Sequence, residues 1–132
     1  MVLKDFYTIL HQSGPEEEIS QTGILSKRFQ FQLELNPDHP VYQGHFPGNP
    51  IVPGVCQVQM ISELISIITG HSFRLIHADN VKFLSMMVLD KKSTIDADIR
   101  IRTEDNGNIS ANAVFKAGDT IFIRFKGVYK PE

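Results

Sequence analysis

The sequence has almost no excess charge of either sign. Its 13 Lys and Arg stand against 15 Asp and Glu, for a formal net charge of -2 at pH 7. That balance gives no general argument for binding nucleic acid or an anionic membrane surface. There is one cysteine, Cys56. An intrachain disulfide is therefore excluded, which suits a reducing compartment. A long hydrophobic run is also missing. The richest apolar stretch, from Val55 to Ile68, is interrupted by Gln57, Gln59, Ser62, Glu63 and Ser66, leaving it too short and too polar to span a bilayer. The opening Met1-Val2-Leu3-Lys4-Asp5-Phe6 lacks the basic start and apolar core of a secretion signal. The expectation is a cytoplasmic protein with no membrane and no nucleic-acid partner. The five histidines, His11, His39, His45, His71 and His77, show no metal-ligand spacing with Cys or acidic residues, so no metal site is expected.

What is present reads as one ordinary domain. The 132 residues are 42% hydrophobic and 21% charged, enough for one core and too few for two comfortable ones, so residues 1–132 are read as a single unit. Leu3, Phe6, Tyr7 and Leu10 recur at helical spacing and predict a short amphipathic helix. Gln12 to Gln21, with Gly14-Pro15 and three successive glutamates, predicts a polar loop. From Lys27 the period changes to two: Phe29, Phe31, Leu33 and Leu35 alternate with polar residues, the mark of a strand with one wet face. A helix is predicted to begin at Pro53-Gly54, with Val55, Val58, Ile61, Ile65 and Ile68 as its buried stripe, thickened by Met60 and Leu64, and Gly70 as its stop. Strands follow at Arg74 to Phe83, Ile95 to Ile101, Ile109 to Phe115 and Ile121 to Tyr129, with Asp105-Asn106-Gly107 as a hairpin signal. The fold class is α+β: an antiparallel sheet around one long helix.

Between strand and helix lies Gly44-His45-Phe46-Pro47-Gly48-Asn49-Pro50-Ile51-Val52-Pro53-Gly54-Val55. This segment is too rich in Gly and Pro for regular structure and too apolar for a solvated linker. It predicts a stiff, packed loop. Such a loop holds His45 in a defined place, as a general acid or base requires. The free N–H groups of the first helical turn make a site for a carbonyl oxygen or an anion. A histidine that only packs and bonds a carbonyl would satisfy the same pattern.

The run His45-Phe46-Pro47-Gly48, with Pro50 and Pro53-Gly54-Val55, resembles the active-site signature of the 3-hydroxyacyl-acyl carrier protein dehydratases. Tyr42-Gln43-Gly44 before it and Asn80-Val81-Lys82-Phe83 after the helix fit the same family. The resemblance implies a hotdog fold, an antiparallel sheet wrapped around one central helix. It implies a homodimer or a higher homo-oligomer of dimers, with active sites in the interface. The partner would be an acyl carrier protein presenting a β-hydroxyacyl group on its phosphopantetheine arm. His45 would be the base at C2, and the Gly54 N–H would stabilise the enolate-like state. Phe46, Gly48, Pro53 and Val55 would help to bind substrate. No metal or other cofactor is implied, because dehydration moves only a proton and a hydroxyl.

The chain departs from that family at one chemically decisive position. Fourteen residues after the histidine, where the family has an acid on the helix, this sequence has Gln59. Loss of a positioned general acid typically costs about 10²- to 10⁴-fold in rate. Glu63, one turn further on the same face, would supply the acid if the pocket were offset; otherwise it is a helix residue satisfied by hydrogen bonds. The alternatives are a slow dehydratase in which Gln59 orients substrate or water, a catalytically impaired acyl-thioester-binding hotdog protein, and a subunit of a heteromeric dehydratase. A thioesterase of the same fold would need a carboxylate or poised water that the loop does not clearly offer. Cys56 in the first helical turn has apolar neighbours and reads as a small buried side chain. Arg100, Arg102, Lys116, Arg124, Lys126 and Lys130 lie on the polar strand faces, as solvated residues or as a docking surface for an acidic carrier.

Overall fold

A computed structural model describes residues 3–44, 50–89 and 93–132, with backbone alone at 43 and 44. Its elements are β1 (Tyr7–Ile19), β2 (Leu25–Leu35), α1 (Val41–Gly44), α2 (Gly54–Thr69), β3 (Phe73–Phe83), β4 (Ser93–Thr103), β5 (Ile109–Ala117) and β6 (Thr120–Pro131). The six strands form one sheet in the order β1-β2-β4-β5-β6-β3, and every neighbouring pair is antiparallel. Short turns join β4 to β5 and β5 to β6. At the first of them Gly107 takes φ 86° and the N–H of Glu104 donates to the Asn108 carbonyl at 2.8 Å, as the Asn-Gly signal predicts.

Strand alternation builds the inner face. Phe29 pairs with Ile99, Ile99 with Ala113 and Ala113 with Phe125. In the next row Phe31, Ala97, Phe115 and Ile123 succeed one another. Each row thus sets one alanine among larger residues, which lets facing layers interdigitate. Helix α2 closes this face with Cys56, Met60, Ile61, Leu64 and Ile65, all buried in the same core. Gly70 ends the helix in the left-handed region, φ 72°, its N–H donating to the Ser66 carbonyl, as a C-terminal glycine should. No helix among the described residues is long and apolar enough to cross a membrane.

Three expectations need correction. Leu3, Phe6, Tyr7 and Leu10 do not form a helix. Asp5 takes φ 60°, which breaks helical propagation, and from Tyr7 to Leu10 exposure alternates with period two. Phe6 is fully buried and stacks on Tyr42 at 5.8 Å between ring centroids, with His39 edge-on at 5.0 Å. Its periodicity with Leu3 arises from a strap lying across the helix rather than from a helix. The stretch 12–19 is likewise not a loop. It continues β1 along β2, with register shifts between Ile9/His11 and Ser13/Glu16. Gly14-Pro15 falls at the second shift, and β1 is an edge strand, where proline and bulges are tolerated. The glutamates of this strand engage β2 and β4: Glu16 lies 3.8 Å from Arg28 and Glu18 lies 3.8 Å from Arg100. The third correction concerns α2. Its buried stripe includes Gln57, whereas Val55 is 68% exposed. The helix is turned toward its Cys56–Met60–Leu64 line, because those residues lie over the inner face.

Phe6 therefore anchors the strap to the core. Phe6→Ala should lower stability by about 3–5 kcal/mol, measured as a lower urea midpoint with little change in the slope of the transition.

Candidate active site at the start of helix α2

Pro53 is the N-cap residue of α2, in extended conformation (φ -60°, ψ 146°), and no side chain among the described residues caps the helix. Its carbonyl accepts from the N–H groups of Cys56 at 3.0 Å and Gln57 at 3.2 Å. The N–H groups of Gly54 and Val55 have no acceptor among the described residues. Two donors at the positive end of a helix are thus left for a ligand. The chain before them is pinned in place. The Val52 N–H donates to the Met87 carbonyl, and the Leu89 N–H to that of Pro50, each at 2.9 Å. Phe83 closes the other side: a methyl group placed on Gly54 would sit 2.6 Å from Phe83 Cζ. Any side chain at position 54 would have to push this ring aside.

Against this helix start runs a groove of about 400 Å³. Ile51, Val52, Phe83, Leu84, Met86 and Met87 give it apolar walls, interrupted by Gln57 and Ser85. Gln57 is 3% exposed and is the buried polar residue of the described core. Its Nε2 donates to the Val52 carbonyl at a long 3.4 Å, and its Oε1 is buried without a partner among the described residues. Residue type and spacing do not single this residue out, since a glutamine inside an apolar-rich helix resembles any interruption of the stripe.

Gln59 and Glu63 are brought together on another flank of α2. Gln59 Nε2 donates to Glu63 Oε2 at 3.1 Å. The same carboxylate accepts from the Leu3 N–H at 2.8 Å and from the Tyr7 hydroxyl at 2.9 Å. Glu63 thus ties the strap to the helix. Neither it nor Gln59 lines the groove, because residues 57 and 59 point to different sides of a helix. Of the remaining expected residues, Val55 is exposed beside Gly54. His45, Phe46 and Gly48 lie outside the described residues.

Burial pushes the Cys56 thiol above its ordinary value, which keeps it a packed thiol rather than a nucleophile. Tyr42 is raised by burial and by the neighbouring Cys56, and its hydroxyl is buried without a partner among the described residues. Among the described residues no group of three His, Cys, Asp or Glu side chains could hold a metal ion.

A profile of the ApeI-like family, described as ApeI dehydratase, matches residues 21–118. The chain belongs to the ApeI-like dehydratase family. Among curated relatives, it is 28% identical over 101 residues to the 3-hydroxyacyl-[acyl-carrier-protein] dehydratase FabZ of Xylella fastidiosa. That match covers 69% of this chain and 63% of the relative, so the chain spans under two thirds of the relative's length. Two solved structures share the hotdog fold. One is an uncharacterised protein from Erwinia carotovora, at TM-score 0.63 and 17% identity, covering 96% of this chain and 95% of the other. The second is the dehydratase heterocomplex ApeI:P from Xenorhabdus doucetiae, at TM-score 0.61 and 18% identity, covering 92% and 96%. In this ApeI-like chain the match includes the whole of α2 and the groove.

All three tyrosines carry raised pKa values. Burial and the adjoining Glu63 raise Tyr7, while burial brings Tyr129 up to about 12 against the lowering effect of its Ser62 hydrogen bond. Unfolded tyrosines ionise near 10. The unfolded chain therefore loses its phenolic protons first, and stability present below about pH 10 is lost as pH rises through the folded values. In an alkaline titration, phenolate absorbance should appear together with unfolding, and Tyr7→Phe should flatten the loss of stability above about pH 10.

Proposed function

We propose that this protein acts on 3-hydroxyacyl thioesters carried by the phosphopantetheine arm of an acyl carrier protein, in fatty-acid or polyketide-type synthesis, and that its chemistry is dehydration. The carrying observation is the uncapped start of α2, where Gly54 borders an apolar groove and the Gly54 and Val55 N–H groups have no acceptor among the described residues. A thioester carbonyl on the Gly54 N–H would gain negative charge as the C2 proton leaves, and a fixed donor stabilises that charge. His45 is the base. The elimination forms the C2–C3 double bond, breaks the C3–O bond and releases water. Pro53 and Val55 flank Gly54 in the chain, and the family resemblance assigns substrate binding to them together with Phe46 and Gly48.

The proton for the departing hydroxide is the weak point. Gln59 cannot donate a carboxylic proton, and both oxygens of Glu63 accept hydrogen bonds from Leu3, Tyr7 and Gln59. Glu63 then serves the site by orienting Gln59, while His45 carries both proton transfers. The expected rate is low. With a 3-hydroxyacyl carrier-protein thioester, followed by enoyl product, wild type should turn over slowly and His45→Ala should abolish the reaction. Gln59→Glu should raise the rate by about 10²- to 10⁴-fold. Glu63→Gln should lower stability more than turnover; a complete loss of turnover with folding intact would assign the acid to Glu63 instead. No turnover in wild type, gained in Gln59→Glu, would sink the enzyme reading.

That last outcome corresponds to a second reading, in which the chain is a catalytically impaired acyl-thioester-binding subunit of a heteromeric dehydratase. Gln59 favours it, as does the fold likeness to a protein solved as a heterocomplex. Either reading calls for a second chain. Within one chain the groove and the Gln59–Glu63 pair lie on different flanks of α2, as a site shared between two subunits would have them. Strand β3 is a sheet edge, and Val55, Phe83, Leu84, Met86 and Val88 expose apolar surface nearby. Unpaired edges and such patches mark association surfaces. Met86→Glu should shift the protein toward monomer in light scattering, whether its partner is a second copy or another hotdog chain.

A further inference from the structure

We infer that Gln57 is the residue that reads the 3-hydroxyl group of the substrate. The inference rests on the thioester-binding reading above and adds a specificity contact to it.

The groove beside the helix start is lined by Ile51, Val52, Phe83, Leu84 and Met86. An alkyl chain suits those walls. Gln57 breaks the pattern. Its side chain is buried, is held by one long bond to the Val52 carbonyl, and leaves Oε1 with no donor among the described residues. An unpartnered buried acceptor destabilises a fold, and replacing it by an apolar group of similar shape is neutral or stabilising. A leucine or methionine would fill this position with no such cost. The cost is offset if a bound ligand supplies an O–H or N–H donor there.

The donor follows from position. Gly54 and Gln57 lie three residues apart, about 4.5 Å along the helix axis, and both border the groove. With the thioester carbonyl on the Gly54 N–H, the acyl side of the substrate enters the groove and the pantetheine side leads out. The 3-hydroxyl, two carbons from the carbonyl on the acyl side, comes within reach of Oε1. The amide N–H groups of the arm lie on the outward side. Gln57 then accepts the hydroxyl hydrogen and orients the C3–O bond for elimination. A site built to bond a substrate hydroxyl rejects the analogue lacking it more strongly than an apolar pocket rejects an added group.

The test compares wild type with Gln57→Met, using pantetheine thioesters of a 3-hydroxyacyl chain and of the saturated chain of equal length. Binding is read by calorimetry and stability by thermal melting without ligand. Wild type should prefer the 3-hydroxyacyl thioester by about tenfold. Gln57→Met should bind both alike and should melt no lower than wild type. A preference kept in Gln57→Met overturns the inference. So does an equal loss of affinity for both thioesters, which would assign the Gln57 contact to the arm's amide. A lower melting temperature for Gln57→Met shows that Oε1 is not a cost to the free fold, and also overturns it. If wild type binds both thioesters equally, this inference fails while the thioester-binding reading stands; if it binds neither, both fail.

Discussion

The structure depends on burying one face of α2 against a sheet that is apolar on one side only. Cys56, Met60, Ile61, Leu64 and Ile65 have no other place to go, and the inner residues of β2, β4, β5 and β6 meet them in register. This packing sets the rotation of the helix about its axis. The rotation in turn decides what each remaining residue faces. Gly54 and Gln57 border the groove, Val55 is exposed, and Glu63 meets the strap with Gln59 bonded to it. The chemistry of the site is therefore a by-product of hydrophobic burial, which supplies the dominant free energy and leaves the polar positions to follow.

Two polar devices are built on that scaffold with opposite logic. Around Glu63 a carboxylate is fully used: a backbone N–H, a phenol and an amide all donate to it, and the segment from Leu3 to Tyr7 is held across the helix as a result. Hydrogen bonds to a charged group are among the stronger ones, at about 1.5–3 kcal/mol. Around Gln57 and the helix start, donors and an acceptor are left open inside apolar walls. A fold that only maximised stability would close these groups. Their openness is what a ligand site requires, and it occurs where the Gly- and Pro-rich segment enters the helix.

The sheet was largely legible in the sequence. Alternation from Phe29 to Leu35 and through the last three strands, the Asn-Gly turn and the glycine after Thr69 all correspond to observed elements. The mixed pattern of Arg74 to Phe83 is also a strand, its period disturbed by register shifts between Leu75/His77 and Ala78/Asn80. The amino-terminal region misled because two non-local facts govern it. Asp5 turns the chain, and β2 offers an edge on which a Gly-Pro bulge and three glutamates can still pair. Local pattern carries no information about an available edge.

For the site, the motif around Gly54 and the substitution at Gln59 are properties of the sequence itself, since residue type and spacing define them. Membership in the ApeI-like family follows from the same information. Only the tertiary structure decided that Glu63 is engaged by Leu3 and Tyr7, sixty and fifty-six residues away in the chain. It also decided that Gln57 rather than Val55 turns inward. Both depend on how a helix is rotated against distant strands, and a helical sequence with apolar residues on most of its circumference does not specify that rotation by itself.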